Sequence, residues 1–255
     1  MSKKKTKALE QVTEGYECSG PITEEFSTFS GNPFINAETI YWHLEGNITE
    51  DFEEVKVVEA FRMAFSILQP YFSPIQFKST SDIKKANLII HFAVNGDNDL
   101  PRQFPKHVLA YAFSPSNNVS NLWFDDSKEW ADMHMPTVTE DGERTYNLTA
   151  VTVHEVLHSL GFRHSDAQAW PGDILNPTYQ AGGRIEFSQD TVNAINFLYG
   201  DLKEEIKKKK EEEKVDEPNQ PSEGGEEEPP VTGEDKGCVI FLALMAISSA
   251  VLSFF

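Results

Sequence analysis

Cysteine is nearly absent from this chain: Cys18 and Cys238 are the only two in 255 residues, so no disulfide framework holds the fold. Positive charge is scarce as well. Lys and Arg number 22 against 41 Asp and Glu, a net charge of −19, and such a surface repels nucleic acid and anionic lipid. The run Lys207 to Lys210 is flanked by equal acid and reads as a solvated face. Met1 to Lys7 is basic, but no apolar core follows, so no secretory signal peptide is visible. That pattern fits a start in the cytosol, or a start that lies downstream of a missing segment. Uncharged apolar runs of membrane length are lacking until Cys238–Phe255, which as a helix reaches about 27 Å, just short of a bilayer core. It reads as a tail anchor or as the removable signal for a glycolipid (GPI) anchor. Ser222 and Gly224, followed by a polar spacer, are the small residues such an attachment needs.

What the chain does have is HEVLHSLGFRH, from His154 to His164. Catalytic zinc takes three protein ligands and leaves one position open. His154 and His158, four apart, project from one face of a helix. His164 cannot reach the same ion from that straight helix, but Gly161 can enter the left-handed backbone region, stop the helix and swing His164 back. Glu155, next to the first ligand, then stands beside the open position as a general base. A lone histidine is usually a solvated or packed ring. Five fixed positions together arise by accident in only roughly a few in 10⁵ sequences of this length.

With 39% hydrophobic residues the chain can bury one core. Strand-like alternation at Thr39 to Leu44 precedes a helical stretch, Glu50 to Gln69, closed by Pro70. Further strands are expected at Ile75 to Lys78, Ala86 to Phe92, Val108 to Phe113 and Asn121 to Asp125. The histidine helix is expected from Thr149 to Gly161. Sheet first and ligand helix after is the order of an α+β zinc protease. Beyond Gly200 apolar residues become few and Pro, Gly and charge accumulate, so 201–236 reads as an acidic disordered stalk whose first part can extend the last helix. Asn47, Asn118 and Asn147 begin N-glycosylation acceptor sequences, the last where a glycan would crowd the cleft.

HExxHxxGxxH followed by Ser165 resembles the active-site helix of matrixins (matrix metalloproteinases), a branch of the metzincin zinc endopeptidases. The similarity extends to TIYWHL, ANLIIHF, LAYAF and, from Phe187 to Gly200, FSQDTVNAINFLYG. It implies a metzincin-like α+β domain: a twisted mixed sheet of about five strands with three helices, over residues 30–200. It also implies that an extended peptide lies antiparallel to the LAYAF edge strand. The resemblance assigns Leu175 to the place of the methionine turn beneath the metal, and Pro177 and Tyr179 to the wall of the specificity pocket. Leucine keeps the volume and apolarity of methionine there. The family's second, structural zinc falls on Asn95, Asp97, Tyr111 and Trp123, a set that does not make a zinc site. A nearby calcium site falls on Asp125 and Lys128, where lysine has the wrong sign. One catalytic zinc is therefore expected, with the structural zinc and calcium lost or weakened and the loop from Asn95 to His107 held by packing or mobile. Inserted residues around Asp166 to Trp170 set this chain apart. Cys18 falls where the family's inhibitory cysteine switch lies, in a 1–29 remnant of a propeptide, although the bracing Arg and Asp are replaced by Glu17 and Ile22; a free thiol is the alternative.

The expectation is a zinc-dependent metalloendopeptidase acting on extracellular or surface proteins, with a zinc-bound water as nucleophile and Glu155 as base. It would be monomeric, would bind no nucleic acid and would be tethered at the cell surface through 237–255, or else tail-anchored facing the cytosol. The alternative is a catalytically weak or inactive matrixin-like binding or adhesion ectodomain.

Overall fold

The computed structural model describes residues 35–46, 54–106, 108–131, 145–179 and 183–215. The segments read above around Cys18, at Ser222 and Gly224, and at 237–255 lie outside the described residues. The first strand, β1 (Thr39–Glu45), buries Ile40 and Trp42 by simple alternation. Helix α1 (Glu54–Phe72) follows, and its Val57, Phe61, Ala64, Phe65, Leu68 and Phe72 recur every three or four residues to form one buried stripe. Strands β2 (Gln76–Ser79), β3 (Leu88–Ala93), β4 (Ala110–Ala112) and β5 (Ser120–Asp125) complete a sheet ordered β2-β1-β3-β5-β4. All neighbours are parallel except β4, which runs antiparallel to β5 at one edge. A parallel pair needs a crossover, and α1 is that crossover between β1 and β2.

One face of the sheet is covered by α1, with Trp42 stacked on Phe65 at 5.1 Å and Phe61 edge-on to Phe124 at 5.7 Å. Beside α1, against β4 and β5, lies α2 (Leu148–Ser159), tied to α1 by the Thr149 hydroxyl donating to Ala60 O (3.3 Å). The sheet reaches α2 as well, since Ser120 Oγ donates to Ser159 Oγ at 3.0 Å in a buried position. The last helix, α3 (Gln189–Val215), inserts Tyr199 between Phe72 and Phe162, and its hydroxyl donates to Leu160 O (2.8 Å) at the end of α2. Five strands and three long helices are thus the α+β arrangement expected. Two short strands, β6 (Glu129–Ala131) and β7 (Thr145–Asn147), pair in parallel outside the main sheet and had no counterpart in the sequence reading.

Most element boundaries shift from expectation by a residue or two, and two helices run past the Pro or Gly that marked their ends. Helix α1 does not stop at Pro70 but continues to Phe72. The missing N–H falls in the last turn, where the chain closes with Ser73 N–H on Gln69 O (3.0 Å), so little is lost. Helix α3 does not end at Gly200 but runs on through Val215, the extension that the first part of the acidic stretch allowed. Its Ile206 is buried and Leu202 packs on the core four residues earlier, while Lys209 bridges Glu205 at 3.0 Å and Glu38 at 3.5 Å. Two apolar residues one turn apart are enough to seat an otherwise charged helix.

The outer face of the sheet carries a second apolar cluster of Ala93, Leu100, Phe104, Val108, Tyr111 and Trp123. It settles the two options for the loop beyond β3, which is packed. Asn95 donates from Nδ2 to Phe104 O (2.9 Å) and accepts Phe104 N–H at Oδ1 (2.6 Å), Asp97 accepts from Val94 N–H (2.9 Å), and Tyr111 donates to Arg102 O (2.7 Å). Trp123 stacks on His91 at 4.1 Å. Nearby, Lys128 Nζ lies 3.5 Å from the buried Asp125 carboxylate, whose other oxygen accepts from Ser127 N–H and Oγ.

Candidate metal centre and cleft

Helix α2 is rich in residues of low helix propensity, with Thr149, Val151, Thr152 and Val153 in succession, and burial on nearly every side is what holds it. Both ends are capped. Asn147 accepts the Ala150 N–H (3.0 Å), satisfying one of the free donors of the first turn. Its side chain is buried, so a glycan cannot occupy it in this fold; the acceptor sequence at 147 is a helix cap rather than a glycan crowding the cleft. At the far end Gly161 takes φ 104°, with Gly161 N–H on His158 O (3.0 Å) and Phe162 N–H on Leu157 O (3.1 Å). That pair of bonds is the Schellman ending, and the positive φ is why a glycine stands there.

The turn sends the chain back so that His164 meets the two helix histidines. Ring centroids lie 4.5 Å apart for His154 and His158, 5.3 Å for His154 and His164, and 4.7 Å for His158 and His164. One nitrogen from each ring falls within 4.8 Å of the others, and among the described residues no other set of three His, Cys, Asp or Glu gathers this way. His154 Nδ1 is 2.6 Å from Ile174 O, and His158 Nδ1 is 2.8 Å from Phe162 O. A carbonyl only accepts, so both Nδ1 atoms carry the proton and both Nε2 atoms present lone pairs. Those two Nε2 atoms face each other at 2.9 Å. Like lone pairs at that distance repel unless a cation lies between them, and tetrahedral zinc would set neighbouring nitrogens about 3.3 Å apart. The donor set fits the ion with a small adjustment.

Burial keeps all three rings neutral. His154 is pushed well below the ordinary imidazole range by its burial, then by His158 and His164; burial brings His158 to about 4 and, helped by His158, His164 to about 3. Neutral imidazole is the ligand form. Glu155 shows the opposite case. Its side chain is 0% exposed and neither carboxylate oxygen has a hydrogen-bond partner, so burial pushes its carboxyl well above the usual carboxylate range. An isolated buried carboxylate is costly, and a cation or a proton-bearing reactant beside it relieves that cost.

Leu175 is fully buried in the core, one residue after the Ile174 carbonyl that orients His154, and its own carbonyl accepts Ser165 N–H (2.9 Å). Beside His154 a narrow cavity of about 20 Å³, room for about one water, is lined by Ala150, Val151, Asn176, Thr178 and Tyr179 among others. Pro177 is not among its lining residues, so of the two expected wall residues the structure brings only Tyr179 to the cavity. Two of its lining residues, Tyr179 and Gly183, meet Asn147 in contacts that sequence reasoning missed. Tyr179 Oη accepts Asn147 N–H (2.8 Å), and Gly183, at φ +63°, lies so near that an added Cβ would fall 2.3 Å from Asn147 Cβ. At the sheet edge, Phe113 N–H bonds Asn121 O and Asp125 N–H bonds Leu109 O. That register points the backbone of Ala110 and Ala112 away from β5, to the side where the sheet ends.

Comparison with known proteins agrees with this geometry. The matrixin family profile matches residues 34–200. Interstitial collagenase of Equus caballus is 32% identical over 193 residues, 74% of this chain and 38% of that protein. Stromelysin-1 of Mus musculus is 33% identical over 189 residues, 72% of this chain and 36% of that protein. The chain thus spans well under half the length of these relatives. With the fold, the gathered histidines and a family match over most of its length, the chain belongs to the matrixin family of zinc metalloendopeptidases.

Proposed function

We propose that this chain is a zinc-dependent endopeptidase that cuts extracellular or cell-surface proteins. One observation carries the reading: three neutral imidazoles converge within reach of one ion, with an unpartnered buried carboxylate on the residue next to the first of them. His154, His158 and His164 would hold zinc. When bound, the ion supplies Lewis acidity, making water a usable nucleophile near neutral pH and polarising the peptide carbonyl. Glu155 takes the proton of the attacking water, which its raised affinity for protons favours, and delivers it to the leaving nitrogen. The carbonyls of Ile174 and Phe162 fix the tautomers of His154 and His158, so no proton blocks the ligand nitrogens. The backbone of Ala110 and Ala112, which faces away from β5, is where an extended peptide would add antiparallel to β4. The 20 Å³ cavity beside His154 suits a small side chain next to the cut.

Supporting the metal inventory of one zinc, Asn95 and Tyr111 spend their polar atoms on the loop backbone, and Lys128 places an ammonium beside Asp125 where a cation would otherwise sit. The names of the relatives place a collagenase in the interstitium, in line with extracellular or surface substrates. Tethering through 237–255 belongs to the same proposal and falls outside the described residues; among the described residues no helix is long and apolar enough to cross a membrane. Glu155→Gln tests the reading. The variant is expected to bind zinc at unit stoichiometry and to lose at least about 10²-fold in peptide cleavage. Cleavage equal to the parent's would remove Glu155 from the mechanism.

A further inference from the structure

Between the third imidazole and the residues that floor the cavity, the chain makes a closed turn and holds a tryptophan out of it. Trp170 N–H bonds Asp166 O at 2.8 Å, completing one helical turn. Asp166 Oδ1 caps that turn by accepting from Gln168 N–H (2.8 Å) and Ala169 N–H (3.1 Å). The turn is fastened at both ends to the stretch beside the metal centre. Ser165 N–H reaches Leu175 O (2.9 Å) before it; after it, Trp170 O accepts from Asp173 N–H (3.2 Å) and Asn176 Nδ2 (3.4 Å). Asp173 and Asn176 both line the cavity next to His154, and Ile174 between them orients that ring. On the other flank, Glu186 Oε2 would stand 2.9 Å from a Cβ on Gly172, so the Arg184–Glu186 pair lies directly against the backbone two residues past Trp170.

Position 170 is therefore fixed relative to the histidines, yet its indole is 38% exposed, against 4% for Trp42, 9% for Trp123 and 4% for Trp130. It belongs to neither buried apolar cluster. An indole presented on an immobilised backbone loses little conformational entropy on contact, the usual property of a binding anchor. We propose that Trp170 is a specificity-determining residue, its ring packing against an apolar or aromatic side chain of the peptide substrate beyond the two residues that flank the cut. The inference rests on the peptidase reading and names the substrate feature it selects. The occupant is a peptide because the turn is continuous, through Asp173 and Asn176, with the cleft in which the peptide would lie.

The test uses the full zinc-loaded chain and two quenched-fluorescence peptides. One spans only the residues next to the cut; the other is longer and carries an aromatic residue at successive outer positions. Trp170→Ala is expected to raise KM for the longer peptide about tenfold while leaving the short peptide's KM, and kcat and its pH profile for both, unchanged. Trp170→Phe, which keeps an aromatic face, is expected to recover most of the loss. Equal losses on both peptides would mean that position 170 acts only by supporting Asp173 and Asn176, and no loss on either would mean that the indole touches no substrate; each result overturns the proposal. A parent protein that cleaves neither peptide would overturn the peptidase reading and this inference with it, whereas an active parent with unaffected variants strikes the inference alone.

Discussion

Glu155→Gln also measures what the buried carboxylate costs the fold. The side chain is completely buried and both oxygens lack partners, so the folded chain holds a proton that the unfolded chain releases near the ordinary value of 4.5. A raised folded value means that the stabilising protonated form is fully present below 4.5 and its contribution is lost as pH rises toward the folded value. The slope is at most about 1.4 kcal/mol per pH unit for one proton, so between pH 5 and 7 the parent forfeits up to about 3 kcal/mol. Glutamine has the same shape and no titration. In urea unfolding of the metal-free proteins, parent and variant are expected to be close at pH 5, with the variant ahead by about 1 to 3 kcal/mol at pH 7. The neighbouring histidines titrate in both proteins and cancel in the difference. Zinc should narrow the gap, because a nearby cation favours the ionised carboxylate. A gap that does not change with pH, or a parent that is the more stable at pH 7, would refute the claim that Glu155 is buried without compensation.

Two further outcomes follow from the same geometry. Because burial holds His158 at about 4 and His164 at about 3, protons should compete with zinc only at low pH, so metal analysis after dialysis should find one zinc per chain down to about pH 5; release already near 6.5 would show that the rings are not desolvated. Lys128→Met leaves the Asp125 carboxylate buried without its ammonium at 3.5 Å and should cost about 1 to 3 kcal/mol in thermal unfolding, while added calcium should leave the parent's melting temperature unmoved.

The gathering of the three histidines was legible because metal chemistry fixes residue types at fixed spacing: two histidines one turn apart, a carboxylate between them, and a glycine where the backbone must reverse. The main strands and α2 were legible for a related reason, since alternation in TIYWHL and the buried run after Asn147 each satisfy one periodicity. What was not legible involves groups that sequence does not display. The acceptors that set the ring tautomers are backbone carbonyls of Ile174 and Phe162, available at any residue type and meaningful only after folding. Gly183, which lines the cavity, meets Asn147 thirty-six positions earlier, and no local pattern signals that contact. Strands β6 and β7 are too short to show alternation. That the first part of the acidic run could extend α3 was visible in its composition; how far it extends rests on Leu202 and Ile206 packing on the core. The acceptor sequence at Asn147 was visible, but its role changed once the side chain was seen to cap α2.

The apolar cluster on the outer face bears on the cleft as well as on the loop it covers. Tyr111 is the middle residue of β4, and its hydroxyl holds Arg102 O while its ring packs on Phe104 at 5.0 Å and on Phe113 at 5.3 Å. The same short strand turns the backbone of Ala110 and Ala112 away from β5. A three-residue strand has few ladder bonds of its own, so its position is set mainly by what packs on its two faces. Inside, α2 lies against it; outside, the cluster does. Side-chain packing and the Asn95 and Tyr111 hydrogen bonds thus tie β4 to the loop beyond β3, on the face of the sheet opposite the helix that carries His154, Glu155 and His158. In this chain, the position of β4 relative to the helix of the gathered histidines depends on an apolar cluster on the opposite face of the sheet.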